Sequence, residues 1–234
     1  MAQTVSHQGA GQGALLIGAG GLGSSAAWAL AAAGVSRLGV VDDDRVSLSN
    51  LHRQVIYTVE DVGCLKVEAL ARRLADQGFS GVVELYRQRL ESPEEMANLA
   101  RGYGVVVDGS DNFSTRFAAN DAALASGRPL VHGAAIGLRG QVMTIQPGIS
   151  ACLRCLFHGP PDGDERSCSD DGVLGPIVAE VGGWMALEAM KLLRDVGVPL
   201  LNRILTIDMG RSHRRLVSVP RQAGCPGCGK LKAI

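Results

Sequence analysis

The sequence has no apolar run close to the roughly 20 residues that a membrane-spanning helix needs. It also has no net charge, since 23 Lys and Arg balance 23 Asp and Glu over 234 residues. The first absence excludes a helical membrane span. The second removes broad attraction to nucleic acid or an anionic bilayer and leaves only local patches. Missing too is a basic segment followed by an apolar core at the front: Met1 to Gly13 is polar and glycine-rich, so no signal peptide is read and a cytoplasmic protein is expected. No internal repeat and no domain boundary is visible. The length suits one large domain over residues 1–234, with 1–12 expected to be a disordered tail because they offer almost nothing to bury. Six cysteines in such a chain point to metal or catalysis rather than disulfides.

What is present begins at Leu15-Leu16-Ile17, a short apolar strand that runs into Gly18-Ala19-Gly20-Gly21-Leu22-Gly23 and then an alanine-rich run from Ser24 to Ala33. Strand, glycine turn and helix in this order let the backbone approach a phosphate, with the first helix amides facing it. A second strand, Arg37 to Val41, ends in Asp42, placed to bind a ribose hydroxyl. The same pattern serves nicotinamide enzymes, and a tight turn packing helix on strand needs no ligand at all. The residues that follow favour a triphosphate. Arg53 offers a planar fork and Lys66 a point charge to phosphate oxygens, whereas a nicotinamide pocket needs neither.

From Lys66 to Gln77 apolar residues recur at helical spacing, and Val82 to Leu90 alternates as a strand. Ser92-Pro93-Glu94-Glu95 reads as a capping box opening a helix to Ala100. Val105-Val106-Val107 is a parallel strand covered on both faces, ending in Asp108-Gly109-Ser110-Asp111-Asn112. A helix follows from about Ser114 to Ser126, then strands at Leu130–Ala134 and Gly140–Gln146. Pro176 opens a long apolar helix to about Leu193, and Ile204–Asp208 and Leu216–Val219 are late strands. Strands alternating with helices predict a Rossmann-like, mostly parallel α/β sheet with helices on both faces. The glycine turn, Asp42 and Asp108–Asn112 all fall at carboxyl ends of strands, where such sheets bind ligands.

Asp111 is a candidate magnesium ligand, since magnesium takes one or two carboxylates plus substrate phosphates. The alternative is that Asp111 or Asp108 caps the next helix. Cys152/Cys155 and Cys225/Cys228 form two C-x-x-C pairs. Four soft ligands close a tetrahedral zinc site of structural type, although one such pair alone could be a redox pair. Cys168 sits among Arg166, Asp170 and Asp171, neighbours that push its thiol in opposite directions, and a loop thiol without function is an equal reading.

With these motifs the chain resembles the sulfur-carrier adenylyltransferases of the MoeB, ThiF and HesA group, relatives of the adenylation domains of ubiquitin-activating enzymes. The resemblance spans about Ala14 to Gly229 and rests on Gly18–Gly23, Asp42, Ser49-Asn50-Leu51-His52-Arg53-Gln54, Lys66, Asp108–Asn112 and both cysteine pairs. It implies ATP-dependent adenylation of the C-terminal glycine carboxylate of a small ubiquitin-fold sulfur carrier of MoaD or ThiS type, releasing pyrophosphate in molybdopterin or thiamine synthesis. It puts Gly18, Gly20, Gly21, Gly23, Asp42, Ser49, Asn50, Arg53, Gln54, Lys66, Asp111 and Asn112 on the nucleotide, with Arg53, Lys66 and Asp111 also serving catalysis. It puts Cys168 where relatives carry a sulfur-transfer cysteine. It further implies C-terminal antiparallel strands with a zinc knot, a homodimer and a separate sulfur donor. Relatives begin with a segment whose arginine reaches the partner subunit's ATP, whereas here the first arginine is Arg37, so Arg116 and His52 are candidate substitutes. A non-catalytic module that binds carrier and nucleotide is the alternative.

Overall fold

In the computed structural model, which describes residues 13–90, 92–157, 159 and 172–231, the chain builds one eight-stranded sheet. The strands are β1 (Gly13–Ile17), β2 (Arg37–Val41), β3 (Val82–Tyr86), β4 (Val105–Asp108), β5 (Leu130–Ile136), β6 (Arg139–Ile145), β7 (Arg203–Asp208) and β8 (His213–Ser218). Their order across the sheet is β3-β2-β1-β4-β5-β6-β7-β8. The first five are parallel, and β5 to β8 pair antiparallel. The helices are α1 (Gly21–Ala32), α2 (Lys66–Asp76), α3 (Pro93–Ala100), α4 (Phe113–Ser126), α5 (Leu153–Leu156) and α6 (Gly175–Arg194). The expected tail 1–12 and Cys168 lie outside the described residues.

Alternation along each strand sends side chains to two separate cores. Leu16, Val40, Val107 and Val131 face α1, α2 and α6. Leu15, Val41, Val106 and Leu130 face α3, α4 and the cysteine cluster. Strands buried on both faces need continuous apolar runs, as the sequence of β1, β2 and β4 provides. The alanines of α1 have a packing reason: a Cβ on Gly182 of α6 would lie 2.6 Å from the Ser25 Cβ, so small residues let the two helices meet closely. α6 is in turn fixed to β6 and to the segment before β7 by Glu188, wholly buried, which accepts from Thr144 Oγ1 at 2.6 Å, the Leu200 amide at 2.7 Å and Lys191 Nζ at 2.5 Å. A buried carboxylate is tolerable only when so satisfied.

The strand order reverses between β1 and β4, with β2 on one side and β5 on the other. That switch point opens a crevice beyond the carboxyl ends, between the loop after β1 and the loop after β4. No helix among the described residues is long and apolar enough to cross a membrane.

Some boundaries differ from the sequence reading. The strand expected to reach Leu90 ends at Tyr86, so residues 87–90 form a loop at the same rim as the glycine turn. The helix expected from Ser24 already starts at Gly21. Gly21 and Gly23 therefore lie in its first turn rather than before it.

Candidate active site

The crevice is a cleft of roughly 670 Å³ lined by Gly18, Gly20 and Gly21, by Asp42 to Asp44, by Asn50, Arg53, Gln54 and Lys66, and by Gly109 to Asn112. The glycine turn is rigidly held. Gly18 adopts φ +92, a region that favours glycine, and its amide donates to the Val41 carbonyl at 2.8 Å. A Cβ on Gly23 would fall 1.9 Å from the Gly18 carbonyl oxygen. Gly23 thus lets helix and turn touch and does not line the cleft. Asp42 accepts from the Ala19 amide at 2.7 Å through Oδ2 and from the Asp44 amide at 2.8 Å through Oδ1. Its carboxylate orders the turn, and each oxygen keeps a second lone pair for a ligand. Tyr57 donates to the Ala19 carbonyl at 2.7 Å. Burial, then the nearby Asp42 and Asp61 carboxylates, push its phenol well above the ordinary range, so it stays a donor.

The two predicted cations reach the cleft by different routes. Lys66 is the first residue of α2, 6% exposed, and its Nζ pairs with Asp44 Oδ2 at 2.5 Å. Its amide also donates to the Asp44 carbonyl at 2.9 Å. An ammonium has three donors, so this pair aims Lys66 and still leaves hydrogens for a phosphate. Burial opposes the charge on Asp44, yet the bonds from Lys66 and from the Arg45 amide outweigh it and hold its carboxyl below the usual range. Arg53 follows a short 3₁₀ turn at Leu48–Asn50. His52 Nδ1 lies 2.9 Å from the Ser49 carbonyl oxygen, which fixes that nitrogen as the donor; Nε2 then faces Arg53 Nη1 at 3.5 Å. His52 steadies Arg53 and is not among the lining residues. Ser49 is exposed, paired with Ser47 at 2.9 Å, and also outside the lining.

Beyond β4 the acidic residues divide their roles. Asp108 is fully buried; Oδ2 meets His132 Nδ1 at 2.8 Å, and Oδ1 accepts from Ser110 Oγ at 2.6 Å. Burial resists its charge, but His132, Ser110 and the nearby Arg116 guanidinium together keep the carboxyl below its ordinary range. Arg116 is buried too, donating to the Ser110 carbonyl at 3.2 Å over the Phe113 ring. It braces this loop from below and is not a lining residue of the cleft. The cap of α4 is neither aspartate: Asn112 Oδ1 accepts from the Thr115 amide at 2.8 Å. Asp111 is left exposed on the cleft wall. One such carboxylate fits a magnesium ion that takes its other ligands from phosphates and water.

Residues 11–227 match the ThiF family. The chain belongs to the ThiF family. Within it, the sulfur carrier protein adenylyltransferase of Thermus thermophilus is 45% identical over 221 residues, 92% of this chain and 81% of that protein. The adenylyltransferase and sulfurtransferase MOCS3-1 of Zea mays is 42% identical over 218 residues, 92% of this chain and 46% of that protein. This ThiF-family chain thus spans about half the length of the MOCS3 relatives it matches. The crystal structure of E. coli MccB with MccA-N7isoASN superimposes with a TM-score of 0.83, covering 93% of this chain and 66% of that one at 20% identity, a likeness of fold alone.

The second predicted centre lies within the core that α3 and α4 cover. The Sγ atoms of Cys152, Cys155, Cys225 and Cys228 lie within 4.8 Å of one another, all four residues buried. Cys152 and Cys225 are 3.7 Å apart and Cys155 and Cys228 are 3.4 Å apart. Four sulfurs about 2.3 Å from a zinc ion would be roughly 3.8 Å from each other, so the cluster can hold zinc with little adjustment. Burial works against thiolate at Cys225, but the Cys228 and Gly227 amides and the neighbouring thiols bring it down to about 7.

Residues that sequence reading missed also line the cleft: Gln88 and Arg89 after β3, Thr115, and the apolar trio Ala135, Val173 and Val178. Arg89 was hidden by the overlong strand. Had a turn been read after Tyr86, its place beside Asp42 at the strand ends would have followed.

Proposed function

We propose that this ThiF-family protein is an ATP-dependent adenylyltransferase acting on the C-terminal glycine carboxylate of a small ubiquitin-fold sulfur carrier. The observation that carries the reading is the convergence of the glycine turn, Arg53, Lys66 and Asp111 on one cleft at the sheet's switch point. The relative bearing that activity, matched over four-fifths of its length, supports it. In the reaction a carboxylate oxygen forms a bond to the α-phosphorus, and the bond from that phosphorus to the bridging oxygen breaks. Acyl adenylate and pyrophosphate result. The nucleophile is already ionised at neutral pH and needs no general base.

Catalysis is then alignment and charge balance. The first amides of α1, from Gly21 onward, face the phosphates. Arg53 and Lys66 offset charge on the triphosphate, Asp42 takes the ribose, and Asn50 and Asn112 complete the nucleotide's surroundings. Asp111 would hold magnesium, which would supply further positive charge to offset the phosphates. Zinc in the four-cysteine cluster is assigned a structural role. A homodimer, a separate sulfur donor, a cytoplasmic setting and a sulfur-transfer role for Cys168 belong to the same reading. The test is ATP–pyrophosphate exchange with magnesium and each small glycine-ending carrier of the source organism. Exchange that depends on one carrier is expected. Binding of ATP and carrier with exchange no faster than that of Lys66→Ala or Asp111→Asn would leave a binding module instead.

A further inference from the structure

Among the described residues, Gln54 carries a buried polar atom that is left over. It is 4% exposed, and its Oε1 is the only fully buried side-chain oxygen or nitrogen among the described residues without a hydrogen-bond partner. Leaving such an acceptor unpaired costs on the order of 1–3 kcal/mol, so a group of this kind in a ligand cleft is explained by what enters the cleft. The residue cannot drift away from its post. Its amide donates to the Asn50 carbonyl at 3.0 Å, and its carbonyl accepts from the Tyr57 amide at 3.0 Å.

The place of Gln54 restricts the donor that would satisfy it. A Cβ on Gly20 would lie 3.8 Å from Gln54 Nε2, which sets the carboxamide at the opening of α1, where phosphates bind. Phosphate oxygens at neutral pH only accept. The hydrogen-bond donors of ATP, on its ribose and base, lie at the other end of the nucleotide, towards Asp42. The residue before it, Arg53, backs onto Gly21 and, through it, α6. A Cβ on Gly21 would meet both the Arg53 carbonyl oxygen at 3.0 Å and Val178 Cγ1 at 2.6 Å, so this segment is wedged between α1 and α6. A donor that meets Gln54 Oε1 beside the phosphates then belongs to the second substrate, whose carboxylate must reach the α-phosphorus.

Glycine has no side chain, so a terminal glycine can be aligned only through its backbone. Its one donor is the peptide N–H next to the α-carbon that bears the reacting carboxylate. We infer that Gln54 Oε1 accepts a hydrogen bond from this last peptide N–H of the carrier tail and so orients the carboxylate towards the α-phosphorus. The terminal torsion of a carboxamide is soft, which lets the oxygen turn to the donor as the tail enters. The inference deepens the adenylation reading and rests on it.

The experiment uses whichever carrier supports exchange, prepared by ligation in two forms: native, and with its last backbone N–H replaced by an ester oxygen. With wild-type protein the ester should lower kcat/KM about three- to tenfold, the range of one lost neutral hydrogen bond. Gln54→Met, which keeps shape but neither accepts nor donates, should show a similar loss with the native tail and no further loss with the ester. Gln54→Glu, which still accepts, should remain sensitive to the ester. Two losses that multiply in Gln54→Met would overturn the inference and assign the oxygen to a magnesium-bound water or the nucleotide. An ester tail as active as the native one in wild type would overturn it as well. ATP affinity, measured by displacement of a fluorescent analogue, separates this from a nucleotide role. If no carrier supports exchange by wild type, the adenylation reading itself has failed.

Discussion

At the scale of single residues, the cleft combines groups that act on a ligand with groups that hold those in place, and the two kinds respond differently to substitution. Lys66 belongs to both, because its ammonium is buried against Asp44 while facing the cleft. Lys66→Met keeps the aliphatic stem and removes only the charge, so the fold should survive while exchange falls by about 10²–10³, as for loss of one electrostatic stabiliser. Circular dichroism and exchange on the same sample check this. Retained exchange would mean that the ammonium serves Asp44 alone. Asp111 is exposed, so Asp111→Asn should leave stability within about 0.5 kcal/mol of wild type but raise the magnesium concentration needed for half-maximal exchange. An unchanged magnesium requirement would take the ion elsewhere. Cys168→Ala should leave exchange intact, since no thiol takes part in attack at phosphorus; complete loss of exchange with ATP still bound would contradict that.

At the scale of elements, the loop between β2 and α2 is held by one buried carboxylate that the sequence did not advertise. Asp61 accepts from Arg72 Nη2 at 2.6 Å, Arg73 Nε at 2.8 Å and the Thr58 amide at 2.8 Å. This ties the segment that precedes Lys66 to the body of α2. Burial opposes the charge on Asp61, but the bonds from Arg73, Arg72 and Thr58 outweigh it, and its carboxyl falls from 3.8 to about 2. A depressed folded-state value means that the unfolded chain takes up the proton first as pH falls. The contribution, about 2 kcal/mol, is therefore full above roughly pH 4 and is lost between pH 4 and 2. Asp61→Asn should lower Tm at pH 7 and flatten the pH dependence of stability in that acid range, as measured by thermal melts from pH 2 to 7. An unchanged acid limb would show that other carboxylates govern it. The same elements show what sequence could and could not deliver. Period and turn chemistry located every strand and long helix, because parallel strands need unbroken apolar runs and α4 stops at Gly127 ahead of Pro129. Where β3 stops was not legible: Tyr86-Arg87-Gln88-Arg89-Leu90 keeps an alternating pattern while the strand partner runs out at Val41. The His132–Asp108 pair and buried Arg116 depend on strands and helices distant in sequence, so no local pattern could announce them.

At the scale of the whole molecule, the nucleotide cleft opens at the rim of both cores while the cysteine cluster is buried in one of them, and α4 runs between the two sites. Its first residues adjoin Asp111 and Asn112. Midway along, Asn120 accepts from the Leu153 amide at 2.9 Å, and Asp121 takes a two-point bond from Arg154 at 2.9 and 2.7 Å. Leu153 and Arg154 stand between the two cysteines of the first pair, so the cluster grips the outer side of α4 and ties to it the chain end carrying Cys225 and Cys228. Asn120 lies eight residues on from Asn112, about 12 Å of helix. A rigid helix carries no fine geometry of the cluster to the cleft, but it does share its stability. Protein purified without chelator should hold about one zinc per chain in an all-sulfur tetrahedral environment by X-ray absorption. Stripping the metal, or Cys152→Ser, should lower Tm by many degrees, because four buried thiols are left without their common partner. Below the new Tm, ATP affinity should stay within about twofold of the holoprotein, since no cleft residue touches the cluster. A stripped protein that melts with the holoprotein would deny the staple, and one that loses ATP binding while still folded would place the cluster's influence inside the cleft.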